Sequence, residues 1–353
     1  MPNVIINDIK VEVPENVTVL EAIRLSGGYV PTLCHMKLDD IKIENNPASC
    51  RICMVEVAGR RNLAPACVTP IAEGMVIKTH SKKAVNARRT VLQLLLSNHP
   101  QDCLKCAKNG QCELQDLASE LFITTNPYMG NKSTRKKDVS AAIIRDPSKC
   151  IMCRKCETMC NSFQTVGVLS AVDRAFDAVV KPTFDLPLEQ TNCTFCGQCV
   201  AVCPTGALVA HTYIDEVWQE IDNPKKHVVV QTAPAVRVAI AEEFGYEPGT
   251  LSTGKLVSAL RALGFDKVFD TDFTADLTIM EEATEFLDRI KNGGYMPMLT
   301  SCCPGWVKFL EHQFTSLVEM PSSAKSTKQM FGAIAKSFKK EKNNILINKG
   351  NHT

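Results

Sequence analysis

Cys150-Ile151-Met152-Cys153-Arg154-Lys155-Cys156-Glu157-Thr158-Met159-Cys160 and Cys193-Thr194-Phe195-Cys196-Gly197-Gln198-Cys199-Val200-Ala201-Val202-Cys203-Pro204 are two copies of one pattern. Each reads Cys-x2-Cys-x2-Cys-x3-Cys. Three thiolates so close can hold three corners of an iron–sulfur cubane, and in two-cluster ferredoxins the fourth cysteine of each run ligates the other cluster. That rule assigns Cys150, Cys153, Cys156 and Cys203 to one 4Fe–4S cluster, and Cys193, Cys196, Cys199 and Cys160 to the other. Cys203 is followed by Pro204, as in the bacterial pattern, whereas Cys160 is followed by Asn161. Zinc on Cys-x2-Cys pairs is the competing use, but short gaps repeated in two runs favour cubanes.

Outward from these runs the other cysteines fall into three further sets, for 17 in 353 residues. An odd count excludes complete pairing into disulfides. Met1 to Lys10 lacks the basic-then-apolar pattern of a signal peptide, and no apolar run approaches the roughly 18 residues that span a bilayer. The expectation is a cytoplasmic protein, in a compartment where disulfides are rare and thiols serve metals. With 40 basic and 38 acidic residues, the chain lacks the basic excess of a nucleic-acid binder. The polar, basic stretch 131–138 reads as a solvated linker.

Cys34, Cys50, Cys53 and Cys67 form the first set, on a module expected at residues 1–80. Val4 to Ile6 and Ile9 to Val13 are β-type runs around an Asn7-Asp8 hairpin signal. Thr18 and Glu21 fit a capping box that starts a helix ending at Gly27. A polar loop to Asn46 follows, then a strand over Met54 to Val57. This is the plan of a β-grasp ferredoxin, and a distant fourth cysteine suits a 2Fe–2S cluster; zinc stays open on spacing alone. The second set, on a helical module at 81–125, has Cys103, Cys106 and Cys112. Three thiolates leave a corner open, and His99 is the candidate fourth donor to a 4Fe–4S cluster. A neutral imidazole in place of a thiolate removes one negative charge and raises the cluster potential.

The two-run module occupies 140–215. From 225 to 338 strand and helix alternate, at Val228 to Val230, Leu256 to Leu263, Val268 to Phe269, Leu277 to Ile290 and Val307 to Phe314, as in an α/β layer. Residues 339–353 turn Lys/Asn-rich and read as an aberrant tail. The last set, Thr300-Ser301-Cys302-Cys303-Pro304-Gly305-Trp306, is read on spacing alone as two buried structural thiols. The fold class is thus α+β and multidomain.

Residues Cys34 to Cys203 resemble the iron–sulfur portion of FeFe hydrogenases and of the large iron–sulfur subunit of respiratory complex I. Leu96-Ser97-Asn98-His99-Pro100-Gln101-Asp102-Cys103 is typical of both. Thr300 to Trp306 resembles the first active-site motif of the hydrogenases alone, and Thr232 to Arg237 and Ala275 to Glu282 resemble stretches of the same catalytic domain. The resemblance covers about residues 1–338 and is closest to the soluble, NAD(P)-linked, multi-subunit type. It implies that Cys303 binds the 4Fe–4S part of an H-cluster. It also implies that Cys302, Glu282, Glu285 and Ser322 relay protons, with Ala235 where some relatives carry a serine. The implied partners are a flavin-bearing NAD(P)H-oxidising subunit, a thioredoxin-like 2Fe–2S subunit and ferredoxin, with no nucleic acid and no membrane.

The family draws three further H-cluster cysteines from later motifs, and no cysteine follows Cys303 here. The expectation is an incomplete H-cluster domain with a poorly covered apolar surface. The expected cofactors are one 2Fe–2S and three 4Fe–4S clusters, with the H-cluster ligand set incomplete. The expected function is that of a hydrogenase subunit, with an electron-transfer-only iron–sulfur subunit as the alternative.

Overall fold

The structure, a computed structural model, describes residues 1–343. It divides into two compact units, Met1–His211 and a second that begins at Thr212.

In the first unit, β1 (Asn3–Ile6) and β2 (Ile9–Glu12) pair antiparallel with Val4 opposite Val11. Asn7 and Asp8 turn the chain at φ 48° and 69°. Two successive positive φ values match the twist of a two-residue hairpin, and Asn and Asp tolerate them best after glycine. Helix α1 (Val19–Leu25) opens with the expected capping box: the Thr18 amide donates to the Glu21 carboxylate at 2.8 Å and the Glu21 amide to Thr18 Oγ1 at 3.2 Å. It ends at Gly27, φ 74°, beyond which the Gly28 amide closes on the Ile23 carbonyl at 2.8 Å.

β3 (Met36–Leu38) and β4 (Ile43–Asn45) form a second antiparallel hairpin where the sequence reads as polar loop. Each is three residues long, too short for the alternation of Met36, Lys37 and Leu38 to stand out, and Lys37 faces Glu44 across the pair. β5 (Met54–Val57), β6 (Ala64–Pro65) and β7 (Val76–Lys78) complete a five-stranded sheet in the order β2-β1-β7-β5-β6, with β1 and β7 parallel. Leu20 and Ile23 of α1 pack on Val4, Ile6, Val55 and Ile77 of this sheet.

The expected helical span 85–125 divides into α2 (Lys82–Asn98) and α3 (Glu113–Glu120), with the cysteine loop between. Ser81 caps α2 by accepting the Ala84 amide. Arg88, almost wholly buried, donates from Nε and Nη2 to the Met54 carbonyl at 3.1 and 2.7 Å, which ties α2 to β5. Beyond it, Arg135 anchors the basic stretch through Asp173 at 2.6 Å and Asp185 at 3.1 Å. β8 (Asp138–Val139) and β9 (Ile143–Arg145) precede α4 (Lys155–Thr158), the β10 (Ser170–Val172) and β11 (Val179–Lys181) hairpin, α5 (Gln198–Ala201) and β12 (Leu208–Ala210). β9 lies between β8 and β12.

The second unit contains α6 (Ile214–Ile221), β13 (Val229–Thr232), α7 (Val236–Glu243), α8 (Thr253–Ala262) and β14 (Lys267–Asp270), then α9 (Thr271–Asn292), α10 (Pro304–Gln313) and α11 (Thr327–Asn343). β13 and β14 are parallel, Val229 facing Lys267. Asp270 caps α9, and left-handed Gly293 ends it. On α9, Ile279, Met280, Leu287 and Ile290 are each more than half exposed. Of the Lys/Asn-rich tail, residues up to Asn343 continue α11. The rest lies outside the described residues.

Leu20 is fully buried, so Leu20→Ala is expected to cost about 2–5 kcal/mol. Thr18→Ala should cost about 1 kcal/mol through the lost cap. Leu104, 93% exposed, is the control, and its alanine variant should stay within about 0.5 kcal/mol. Denaturant unfolding of the three variants checks the order; a Leu20→Ala cost no greater than that of Leu104→Ala would contradict this core.

Candidate iron–sulfur sites

The two runs adopt the same local conformation. Met152 and Arg154 have φ 54° and 63°, and the corresponding Phe195 and Gly197 have 55° and 79°. Left-handed residues alternate with cysteines, so the chain curls and its amides point inward at sulfur. The Phe195 amide donates to Cys193 Sγ at 3.5 Å, and the Val168 amide to Cys160 Sγ at 3.3 Å. Only Gly197 adopts this conformation without steric cost; Met152, Arg154 and Phe195 each carry strain, of the kind that clusters at functional sites.

Cys150, Cys153, Cys156 and Cys203 wall one apolar cavity, with Ile151 and Leu208. Cys160, Cys193, Cys196 and Cys199 wall another, with Val168 and Leu188. Each cavity therefore holds three cysteines of one run and the last cysteine of the other. Burial pushes the Cys153 and Cys199 thiols up to about 12, with neighbouring thiols adding to it. Cys156 is raised well above its ordinary value by the same two causes. Such a set cannot ionise together in a dry cavity unless a cationic group sits among the sulfurs. This donor chemistry fits iron–sulfur clusters.

Cys34, Cys50, Cys53 and Cys67 are all at most 4% exposed, and they meet in pairs. The Cys50 thiol hydrogen-bonds the Cys34 sulfur and, helped by the Cys50 and Ser49 amides, draws it down to about 5. The Cys67 thiol does the same for Cys53, down to about 7. Their partners Cys50 and Cys67 are raised in consequence. Four buried sulfurs, two already inclined to thiolate, suit a metal cluster.

In the fourth site, Cys112 is buried, Cys106 partly so and Cys103 exposed. Burial raises the Cys112 thiol, and Cys106 and Cys103 are near enough to add to it. Their loop closes with the Cys106 amide on the Cys103 carbonyl at 3.0 Å. His99, just beyond α2, is held down to about 4 by burial and then by Lys149, so its ring is neutral, the form that binds metals. Its buried Nδ1 has no hydrogen-bond partner among the described residues. Lys149 also bonds the Cys106 sulfur, which puts His99 and the cysteine loop around one lysine.

Sequence reasoning missed several groups here. A Cβ on Gly206 would come within 2.6 Å of Cys106 Sγ, so this position must be glycine for the two segments to meet. Lys149 carries no spacing signal. His35, beside Cys34, is buried with both ring nitrogens unpartnered among the described residues. Asn45 was placed in a polar loop and is instead buried at the end of β4.

In the second unit, Glu282 and Glu285 lie three residues apart on α9. Ser322 Oγ donates to Glu285 Oε2 at 2.9 Å, as do the Ser323 amide and hydroxyl at 3.0 Å. Glu282 accepts from Thr300 at 2.9 Å, at the head of the Cys302 loop. Cys302 and Cys303 are exposed, which corrects the reading of the pair as buried structural thiols. Glu285 and Ser322 are thus brought together, whereas Glu282 hydrogen-bonds Thr300.

Several stretches of the chain match known protein families. Residues 226–348 match the C-terminal domain of the iron only hydrogenase large subunit. Residues 3–82 match a 2Fe-2S iron-sulfur cluster binding domain, 88–127 the NADH-ubiquinone oxidoreductase-G iron-sulfur binding region, and 149–207 a 4Fe-4S dicluster domain. The NADP-reducing hydrogenase subunit HndD of Solidesulfovibrio fructosivorans is 60% identical over 333 residues, covering 92% of this chain and 57% of that protein. Over nearly its whole length the chain is thus similar to part of an iron-only hydrogenase large subunit. Iron hydrogenase 1 of Clostridium pasteurianum, another relative, is 36% identical over 96% of this chain and 58% of its own length. A crystal structure of NAD+-reducing NiFe-hydrogenase in the H2-reduced state aligns with 60% of this chain and 88% of its own, at 27% identity and TM-score 0.54. The chain spans somewhat more than half the length of the curated relatives it matches. The hydrogenase match extends to residue 348, past Lys339, where the sequence reads as a tail. As in the sequence, no helix among the described residues is long and apolar enough to cross a membrane.

Burial pushes the Glu285 carboxyl up, but hydrogen bonds from Ser322, Arg289 and Ser323 outweigh it and hold the group below its ordinary 4.5. A carboxyl so depressed contributes stability above its unfolded pKa and loses it as pH falls through the folded value. Ser322→Ala is expected to lower stability at neutral pH and flatten its decline on acidification. Thermal unfolding across that range is the check, and an unchanged acid-side profile would count against the contact.

Proposed function

We propose that this chain is an iron–sulfur oxidoreductase subunit of an FeFe hydrogenase. In it a β-grasp 2Fe–2S ferredoxin module, a His/Cys 4Fe–4S helical module and a bacterial-type two-cluster module carry electrons for an H-cluster domain. The observation that carries the reading is the crossed cysteine grouping, in which each cavity of the two-run module contains one cysteine from the opposite run. Cys34, Cys50, Cys53 and Cys67 would hold the 2Fe–2S cluster. His99, Cys103, Cys106 and Cys112 would hold one 4Fe–4S cluster, and the two crossed sets the others.

When bound, an H-cluster supplies the interconversion of two protons and two electrons with H2. Cys303 is the family's ligand position to it. Glu285 and Ser322 form one hydrogen-bonded step of a proton path, and Glu282 and Cys302 are its other proposed members. The proposed partners are a flavin-bearing subunit that oxidises NAD(P)H, a thioredoxin-like 2Fe–2S subunit and ferredoxin, in the cytoplasm. Exposed Cys103 and Leu104 leave the His99 site accessible to such a partner.

Anaerobic reconstitution with iron and sulfide is expected to load about fourteen irons, for one 2Fe–2S and three 4Fe–4S clusters. His99→Cys should keep that count and lower the potential of a single cluster, as followed by EPR-monitored redox titration. Zinc retained in place of iron would overturn the reading. Infrared bands of iron-bound CO and cyanide after maturation would establish the H-cluster; full iron without them would restrict this chain to electron carriage.

A further inference from the structure

Asn45 is 4% exposed, and the three hydrogen bonds of its side chain all fall on one seam. Nδ2 donates to the Cys34 carbonyl and, at 2.9 Å, to the Cys153 carbonyl. Oδ1 accepts from the Thr158 hydroxyl at 2.6 Å. Carbonyls only accept, so the amide nitrogen must face both cysteines and the oxygen must face Thr158. Cys34 and Cys153 belong to different candidate cluster sites, and Asn45 and Cys153 lie 108 residues apart in sequence. Ser49, the residue before Cys50, makes a parallel bond to the Met152 carbonyl at 2.9 Å, so the seam does not depend on Asn45 alone for docking.

We propose that Asn45 is the positioning residue for electron exchange between the 2Fe–2S site and the Cys150/Cys153/Cys156/Cys203 site. The proposal rests on the electron-carrier reading above. One nitrogen atom closes the gap between two ligand backbones. The continuous route runs from Cys34 Sγ to its carbonyl, through the two N–H···O bonds of Nδ2, and from the Cys153 carbonyl to its Sγ. With both clusters bound, the one electron given up by the 2Fe–2S side would be taken up by the 4Fe–4S side. Asn45 has no titratable proton and keeps both N–H bonds, so no proton accompanies the step. Thr158 fixes the amide plane, and through it the spacing of both carbonyls.

Two variants of the full, anaerobically reconstituted chain test this. Asn45→Leu removes both bridging bonds at similar volume; Thr158→Val leaves the amide but frees its orientation. The readouts are iron content, the EPR signals of the reduced clusters, and the rate at which an electron re-equilibrates between the two sites after flash reduction. Asn45→Leu should keep its iron and EPR signals while that rate falls by about tenfold or more, the usual effect of losing an outer-shell partner. Thr158→Val should show a smaller fall. A wild-type rate in Asn45→Leu with full iron overturns the proposal and leaves the electron-carrier reading intact. If Asn45→Leu does not retain its clusters, Thr158→Val decides, and an unchanged rate there overturns it. Failure of the wild-type chain to load iron sinks the underlying reading instead.

Discussion

Crowded sulfur is the constraint on which the first unit depends. Thiols confined in dry cavities oppose one another's ionisation, and burial drives Cys156 and its neighbours well away from thiolate. Two features counter this within the protein itself. Backbone amides turn toward the sulfurs, which requires left-handed conformations at Met152, Arg154 and Phe195. The cysteines also sit on very short elements, such as the four-residue α4 and α5, rather than on long regular ones. The geometry of the runs is set by what four sulfurs need, and the secondary structure fits around it.

The same constraint explains how the modules meet. The Glu113 amide, one residue past Cys112, donates to the Pro204 carbonyl, one residue past Cys203, at 3.0 Å. Gly206 lets Cys106 approach. Lys155, between Cys153 and Cys156, reaches Glu113 at 3.3 Å. The Cys34 segment joins through Asn45. Several contacts between modules thus start at or beside a ligand. Most of these contacts are polar bonds to backbone, which hold a spacing more exactly than apolar packing does.

Much of this is legible in the sequence because its signals are local. The Cys-x2-Cys-x2-Cys-x3-Cys spacing, the Thr18 to Glu21 cap and the Asn7-Asp8 turn each report a conformation within a few residues. The β3 and β4 hairpin is invisible because its strands are three residues long and carry charged residues. Asn45 is invisible for a deeper reason: its partners are brought to it by the fold. The exposure of Cys302 and Cys303 likewise depends on which layers cover their loop, and adjacent cysteines do not encode that.

The exchange of last cysteines between the two runs has a topological consequence. Cys160 stands in the cavity of the later run and Cys203 in that of the earlier one, so the chain is linked to itself like two clasped hooks. Neither hook can open without releasing a donor from the other. A form loaded at one cavity alone already fixes the run that must close the second. Assembly of this pair should therefore be steep in iron, with half-loaded protein scarce, whereas the Cys34 and His99 sites, each built from its own contiguous segment, can fill separately.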